Sequence, residues 1–166
     1  KLLDQRSHHI WNESKLRRQL NYLTELPLIL LRFIVDKGTP NMHINKVTIL
    51  VRDIDAAILF YCDALGLKLI EDSLMAESKR IVRLATSNSS TAFNIANPKR
   101  GDDSLVGRQA GDRVFIFMDT SDLDLDIQRF KRNRVAIFDG PRTEDFGRCL
   151  IIKDLEGNKW EFVERR

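Results

Sequence analysis

Lys46-Val47-Thr48-Ile49-Leu50-Val51-Arg52-Asp53-Ile54-Asp55 holds the end of a strand and the start of a helix. Val47, Ile49 and Val51 alternate with Lys46, Thr48 and Leu50, a period-two pattern that predicts a strand with one apolar face. Asp53 is suited to cap a helix N-terminus, because a short carboxylate side chain can accept the first free backbone N–H groups. Ile58, Leu59 (or Tyr61), Cys62 and Leu65 then recur at helical spacing, and Gly66 closes the helix. A short strand at Leu67 and Leu69 follows. Residues 80–85 and 91–96 supply two more, joined through Ser87-Asn88-Ser89-Ser90.

The same order then recurs about 67 to 69 residues later. Arg113-Val114-Phe115-Ile116-Phe117-Met118 reads as a strand, and Asp122-Leu123-Asp124 matches Asp53-Ile54-Asp55. A helix is predicted to about Asn133. Val135-Ala136-Ile137-Phe138 matches Leu67-Lys68-Leu69-Ile70. Cys149–Lys153 and Lys159–Val163 form the closing pair of strands, with Glu156-Gly157-Asn158 as their turn. Residues 97–112 link the copies. The fold class is therefore α+β: two tandem βαβββ modules whose curved mixed sheets have helices on one face and a cavity on the other.

The chain has 166 residues, 43% hydrophobic and 31% charged, which suits one folded core and excludes disorder as its main theme. Residues 1–41 hold seven Lys/Arg against four Asp/Glu, whereas residues 42–166 hold 20 of each, so the net +3 lies wholly in the first segment. A body without basic excess is not expected to bind nucleic acid. The two cysteines, Cys62 and Cys149, fit no metal or redox spacing, and a reducing cytoplasm is the expected home.

Residues 1–41 form a separate region, read as a helical or non-native extension ahead of a start at Met42. Leu16, Leu20 and Leu23 lie at helical spacing, and Leu26–Val35 is nearly all apolar, broken by Pro27 and Arg32. That run is half of the roughly 20 residues a membrane-spanning helix needs. Packing on the domain or a partner is the preferred reading, with an interfacial membrane helix behind it. His8-His9 is not a metal pair, since adjacent residues do not share a helix face.

The chain resembles the vicinal oxygen chelate superfamily of glyoxalases, bleomycin-resistance proteins and extradiol dioxygenases. The residues that carry the resemblance are Lys46–Asp53, Phe60-Tyr61-x-x-x-Leu65-Gly66-Leu67, Gly140-Pro141 and Asp154-Leu155-Glu156-Gly157-Asn158-x-x-Glu161. It covers residues 42–166 and implies two βαβββ modules around one pocket, often in a homodimer. It also implies four metal-ligand positions, which fall here on Lys46, Phe93, Arg113 and Glu161. A one-residue register change would replace Phe93 by Asn94 or Arg113 by Val114. Only Glu161 is a ligand by type, and protonated Lys and Arg offer no lone pair, so no metal or other cofactor is expected.

Strand alternation instead turns Lys46, Thr48, Phe93, Arg113, Phe115 and Glu161 toward the cavity, with Thr91 and Phe117 nearby. Such a wall suits a small planar or anionic ligand: a guanidinium grips an oxyanion and aromatic rings stack on a planar one. Glu161 is alternatively the charge partner of Lys46 or Arg113, and one or both of Phe115 and Phe117 belong to the core. Trp160 and Phe162 face the helix side. The leading expectation is metal-independent small-molecule binding, like the bleomycin-resistance branch. A glyoxalase-like lyase or isomerase, or a dioxygenase-type enzyme, with Glu161 as catalytic base is the alternative. An interaction scaffold recruiting partners through residues 1–41 is a third.

Overall fold

The computed structural model describes residues 42–75 and 79–166. The expectations for residues 1–41 (the extension, its apolar run and His8-His9) lie outside the described residues. The first module runs β1 (Lys46–Leu50), α1 (Ile54–Leu59) continued by a wider helical turn (Phe60–Ala64), β2 (Lys68–Met75), β3 (Lys79–Ala85) and β4 (Ala92–Ala96). A single tight turn at Asp103–Leu105 interrupts the link. The second module runs β5 (Val114–Thr120), α2 (Leu123–Arg132), β6 (Ala136–Glu144), β7 (Gly147–Lys153) and β8 (Lys159–Arg165). The two sheets have matching orders, β1-β4-β3-β2 and β5-β8-β7-β6. The first strand of each module pairs parallel with its last, and the other pairings are antiparallel. The duplicated α+β architecture expected from the sequence is the one the chain adopts.

The two helices begin alike. Asp53 accepts from the N–H of Ala56 at 3.0 Å and Asp122 from that of Leu125 at 2.8 Å. Each carboxylate satisfies a backbone donor that the first helical turn leaves free, worth about 1 kcal/mol. Gly66 ends the first helical segment at φ +75°, a conformation that costs a side-chain-bearing residue dearly. Arg129 of α2 lies against that turn and donates from Nε to the Ala64 carbonyl at 2.9 Å.

Both sheets turn their helix-side faces onto one common core. Trp160, Tyr61, Phe130, Ile49, Leu84, Leu150 and Ile152 are fully buried there. The Trp160 ring packs against Tyr61 at 5.7 Å and Phe93 at 5.4 Å, so side chains from both modules meet around it. Each such side chain contributes about 1.5–3 kcal/mol by leaving water. Trp160 and Phe162 sit in the core as their alternation predicts.

Polar contacts fasten the modules at this seam. The buried Asp154 carboxylate takes three backbone N–H groups at Oδ1, from Glu156, Gly157 and Asn158. Its Oδ2 accepts the Tyr61 hydroxyl at 2.9 Å, the Asn158 amide at 3.0 Å and the Trp160 indole N–H at 3.0 Å. A buried carboxylate is tolerated because every lone pair has a donor. Glu156 reaches across to the backbone N–H of Arg52 at 2.7 Å and also pairs with its guanidinium.

Candidate functional site

Side chains alternate across a strand, so ladder register fixes which residues lie on each sheet's helix-free face. In the second sheet, Glu161 of β8 stands between Phe117 of β5 and Ile151 of β7. Arg142 of β6 stands opposite Cys149. Its guanidinium donates to Glu161 Oε1 at 3.1 Å and to Glu144 Oε1 at 2.9 Å, and also pairs with Asp139. Burial disfavours the charge on Arg142, but the surrounding carboxylates outweigh it and raise its pKa. The fully buried Cys149 thiol is pushed up, mainly by burial, against a smaller opposite pull from Arg142. Cys149 is thus an inert thiol beneath the pair.

The same face carries an aromatic and cationic end. Phe138 lies under two ammonium groups, Lys153 Nζ at 4.7 Å and Lys159 Nζ at 4.4 Å from the ring centroid. Lys159 also donates to the Asp112 carbonyl at 2.7 Å. Phe117 is 66% exposed and Phe138 49%. Large rings held open beside fixed charges are an arrangement that recognises planar, charged molecules.

On the first sheet, Thr48 pairs with Asn94, and Asn94 with Arg83. Arg83 holds Glu71 at 2.9 Å, and its Nε is buried without a hydrogen-bond partner. Lys46 and Thr48 are exposed on this sheet's face, as the sequence predicts. No hydrogen bond or ion pair among the described residues joins these groups to the Arg142–Glu161 pair.

Three expected orientations are corrected. Phe93 stands opposite Val47 and Leu84, on the core side, and packs on Trp160; Asn94, the alternative register, faces outward. Arg113 precedes β5 and is exposed, with no salt bridge among the described residues. Phe115 lies where the ladder shifts between Val114 and Ile116, and that irregularity turns it toward the core while Phe117 stays outside. Glu161 occupies the expected face, but its partner is Arg142 rather than Lys46 or Arg113. Arg129 of α2 is half-buried and bound to Asp126 at 2.6 Å.

Arg142 escapes sequence reading because Gly140-Pro141 looks like a strand end. Here the pair is a bulge, with Asp139 and Arg142 opposite Ile151 and Cys149, and β6 resumes beyond it. Arg83 carries a usable signal: one cation between Val82 and Leu84, at strand spacing. Phe138 with Lys153 and Lys159 needs the β6–β7–β8 register before it can be seen.

The fold family implies a divalent metal, and the residues present do not fit one. The four positions that the resemblance implies hold Lys46, Phe93 (or Asn94), Arg113 (or Val114) and Glu161; Glu161 alone is a carboxylate, and a guanidinium already holds it. Among the described residues, no group of three or more His, Cys, Asp or Glu side chains is placed to hold a metal ion.

Two helix-backed sheets of identical order, each with a chemically equipped open face, define a duplicated βαβββ protein. The model of the glyoxalase/bleomycin resistance protein/dioxygenase superfamily matches residues 43–162, and the chain belongs to that superfamily. It is 32% identical over 124 residues to an uncharacterised protein of Shewanella frigidimarina, covering 73% of this chain and 92% of the relative. Among solved structures it is similar to TnmS3, an antibiotic binding protein from Streptomyces sp. CB03234. The TM-score is 0.63 and the identity 22%, over 78% of this chain and all of the other. TioX from Micromonospora sp. ML1 is similar with TM-score 0.57 at 20% identity, over 75% of this chain and 100% of that one. Among the described residues, no helix is long and apolar enough to cross a membrane.

Proposed function

We propose that the protein binds a small planar or anionic molecule on the helix-free sheet faces, without a metal. The observation that carries this is the Phe138 ring under Lys153 and Lys159, on the face that also holds Arg142, Glu161 and the exposed Phe117. The two ammonium groups supply charge for an oxyanion and the rings supply stacking surface. Glu161, fixed by Arg142, orients a ligand donor rather than taking a proton. Lys46 and Thr48 serve the same ligand class from the first sheet. Likeness in fold to an antibiotic binding protein supports this reading.

The exposed Phe117 and Phe138 also fit a homodimer in which a second copy closes over the ligand bound on these rings. The free cysteines suit a reducing cytoplasm. Thermal-shift screening of the full chain against aromatic carboxylates and sulfonates, beside neutral analogues, tests the binding reading. Several of the anions raise Tm and their neutral analogues do not; failure of every anion refutes the proposal.

A further inference from the structure

The internal repeat treats the outer edges of β1 and β5 differently. Among the described residues both are edge strands, each with outward backbone groups that no neighbouring strand satisfies. At β1 the link between the modules covers the edge. The Gln109 side-chain carboxamide donates to the Thr48 carbonyl at 3.0 Å and accepts from the Leu50 N–H at 2.8 Å. Gly107 sits so close to the Glu156–Gly157 turn that an added Cβ would meet the Glu156 carbonyl oxygen at 2.0 Å.

Ladder register maps Thr48 onto Phe117, through their partners Asn94 and Glu161, and Leu50 onto Asp119, through Ala96 and Val163. At β5 no link residue occupies the equivalent place. A cleft of about 660 Å³ lies there, between Ile116–Thr120 and the turn at residues 86–91. Phe93, Ile116 and Phe162 give it an apolar floor. Asp126 lines it too, buried to 7% exposure, with Oδ1 on Arg129.

We infer that this cleft is a second binding site, for a ligand that presents a primary carboxamide to the Phe117 carbonyl and the Asp119 N–H. The chain itself makes this pairing in its other half, through Gln109. An apolar or aromatic group beside the carboxamide rests on the Phe93, Ile116 and Phe162 floor. A carboxylate of the same shape binds more weakly, because it has no N–H for the Phe117 carbonyl, while Asp119 and Asp126 are already paired with Arg165 and Arg129. The site is separate from the Arg142–Glu161 face: it uses the Phe117 backbone, whereas that face uses the ring.

The test is a titration of the full ¹⁵N-labelled chain, followed by amide shifts, with three probes. These are benzamide, benzoate and the capped peptide Leu-Val-Gly-Arg-Gln-Ala-Gly, which copies residues 105–111. Benzamide or the peptide saturates, moving the Asp119 amide and those of residues 86–91, and benzoate binds at least tenfold more weakly. A tighter peptide assigns the carboxamide to a protein side chain, and a tighter benzamide to a free small molecule. Asp119→Pro deletes the outward N–H and weakens binding at least tenfold, whereas Arg165→Ala, which breaks only the ion pair of the Asp119 carboxylate, leaves it unchanged. If Asp119→Pro does not fold, Asn88→Trp fills the rim and has the same effect, since the Asn88 side chain makes no hydrogen bond among the described residues. Arg142→Ala leaves amide binding unchanged, so this site can fail while the proposed function stands, and the reverse. No saturable shift, equal binding of benzoate, or shifts centred on Arg142 and Glu161 overturn the inference.

Discussion

The Tyr61 hydroxyl of the first module donates to the Asp154 carboxylate of the second at 2.9 Å, with both residues buried. This bond ties the helix of one repeat to the closing hairpin of the other, 93 residues along the chain. Asp154 also holds its own turn, so fold and seam share one carboxylate. Tyr61→Phe removes one of six hydrogen bonds to Asp154 and is expected to cost about 1–3 kcal/mol. Asp154→Ala strands the hydroxyl and the Trp160 indole N–H together and is expected to cost more. Urea unfolding monitored by circular dichroism gives both values. A loss for Asp154→Ala no larger than for Tyr61→Phe contradicts the shared role.

The same pair sets an alkaline limit. Burial, and then the neighbouring Asp154 charge, push the Tyr61 phenol well above its ordinary value. A pKa raised on folding means that the unfolded chain loses this proton first. The contribution is intact below about pH 10, the unfolded tyrosine value, and stability falls as pH rises beyond it. Absorbance at 295 nm is expected to show the Tyr61 phenolate only on unfolding, as the difference between wild type and Tyr61→Phe. Reversible titration of Tyr61 near pH 10 in the folded protein contradicts this.

At the acid end, hydrogen bonds from Arg80 and Arg148 hold the Asp72 and Asp124 carboxyls below their usual range. Carboxylates depressed in this way stabilise the fold above about pH 4, the unfolded value, and the contribution fades as pH falls further. Arg148→Ala is therefore expected to lower Tm slightly at pH 7 and hardly at all at pH 2.5. An undiminished difference at pH 2.5 removes the electrostatic explanation.

The link between the modules offers a backbone test. Gly107 has φ +75° and no room for a Cβ against the Glu156 carbonyl. Gly107→Ala is expected to destabilise by about 3 kcal/mol through strain and displacement of the turn. Gln109→Ala leaves the β1 edge unpaired and is expected to cost about 1 kcal/mol. Thermal unfolding of both variants checks the order; a harmless Gly107→Ala contradicts the close approach.

Much of the fold was legible in the sequence because its signals are local. Asp53 and Asp122 cap the helices they precede, and the alternation from Lys46 to Val51 gives a strand with the right side buried. The site was legible only in part, since it depends on register between distant strands. One irregularity at Val114/Ile116 separates Phe115 from Phe117, and the bulge at Gly140-Pro141 carries Arg142 past an apparent strand end to Glu161. Phe93 lies on the core side because its ladder partners are Val47 and Leu84, pairings that spacing alone does not supply. Asp154 stands in the sequence just ahead of the Glu156-Gly157-Asn158 turn, and its bond to Tyr61 appears only once the modules share a core.

Calorimetric titration of the chelator-treated full chain with 2-naphthoate tests the central proposal most directly. The proposal predicts saturable binding that survives chelation and weakens at least tenfold when Lys153 and Lys159 are both replaced by Ala. Binding that appears only after zinc, nickel or iron is restored, or that is indifferent to the two lysines, contradicts it.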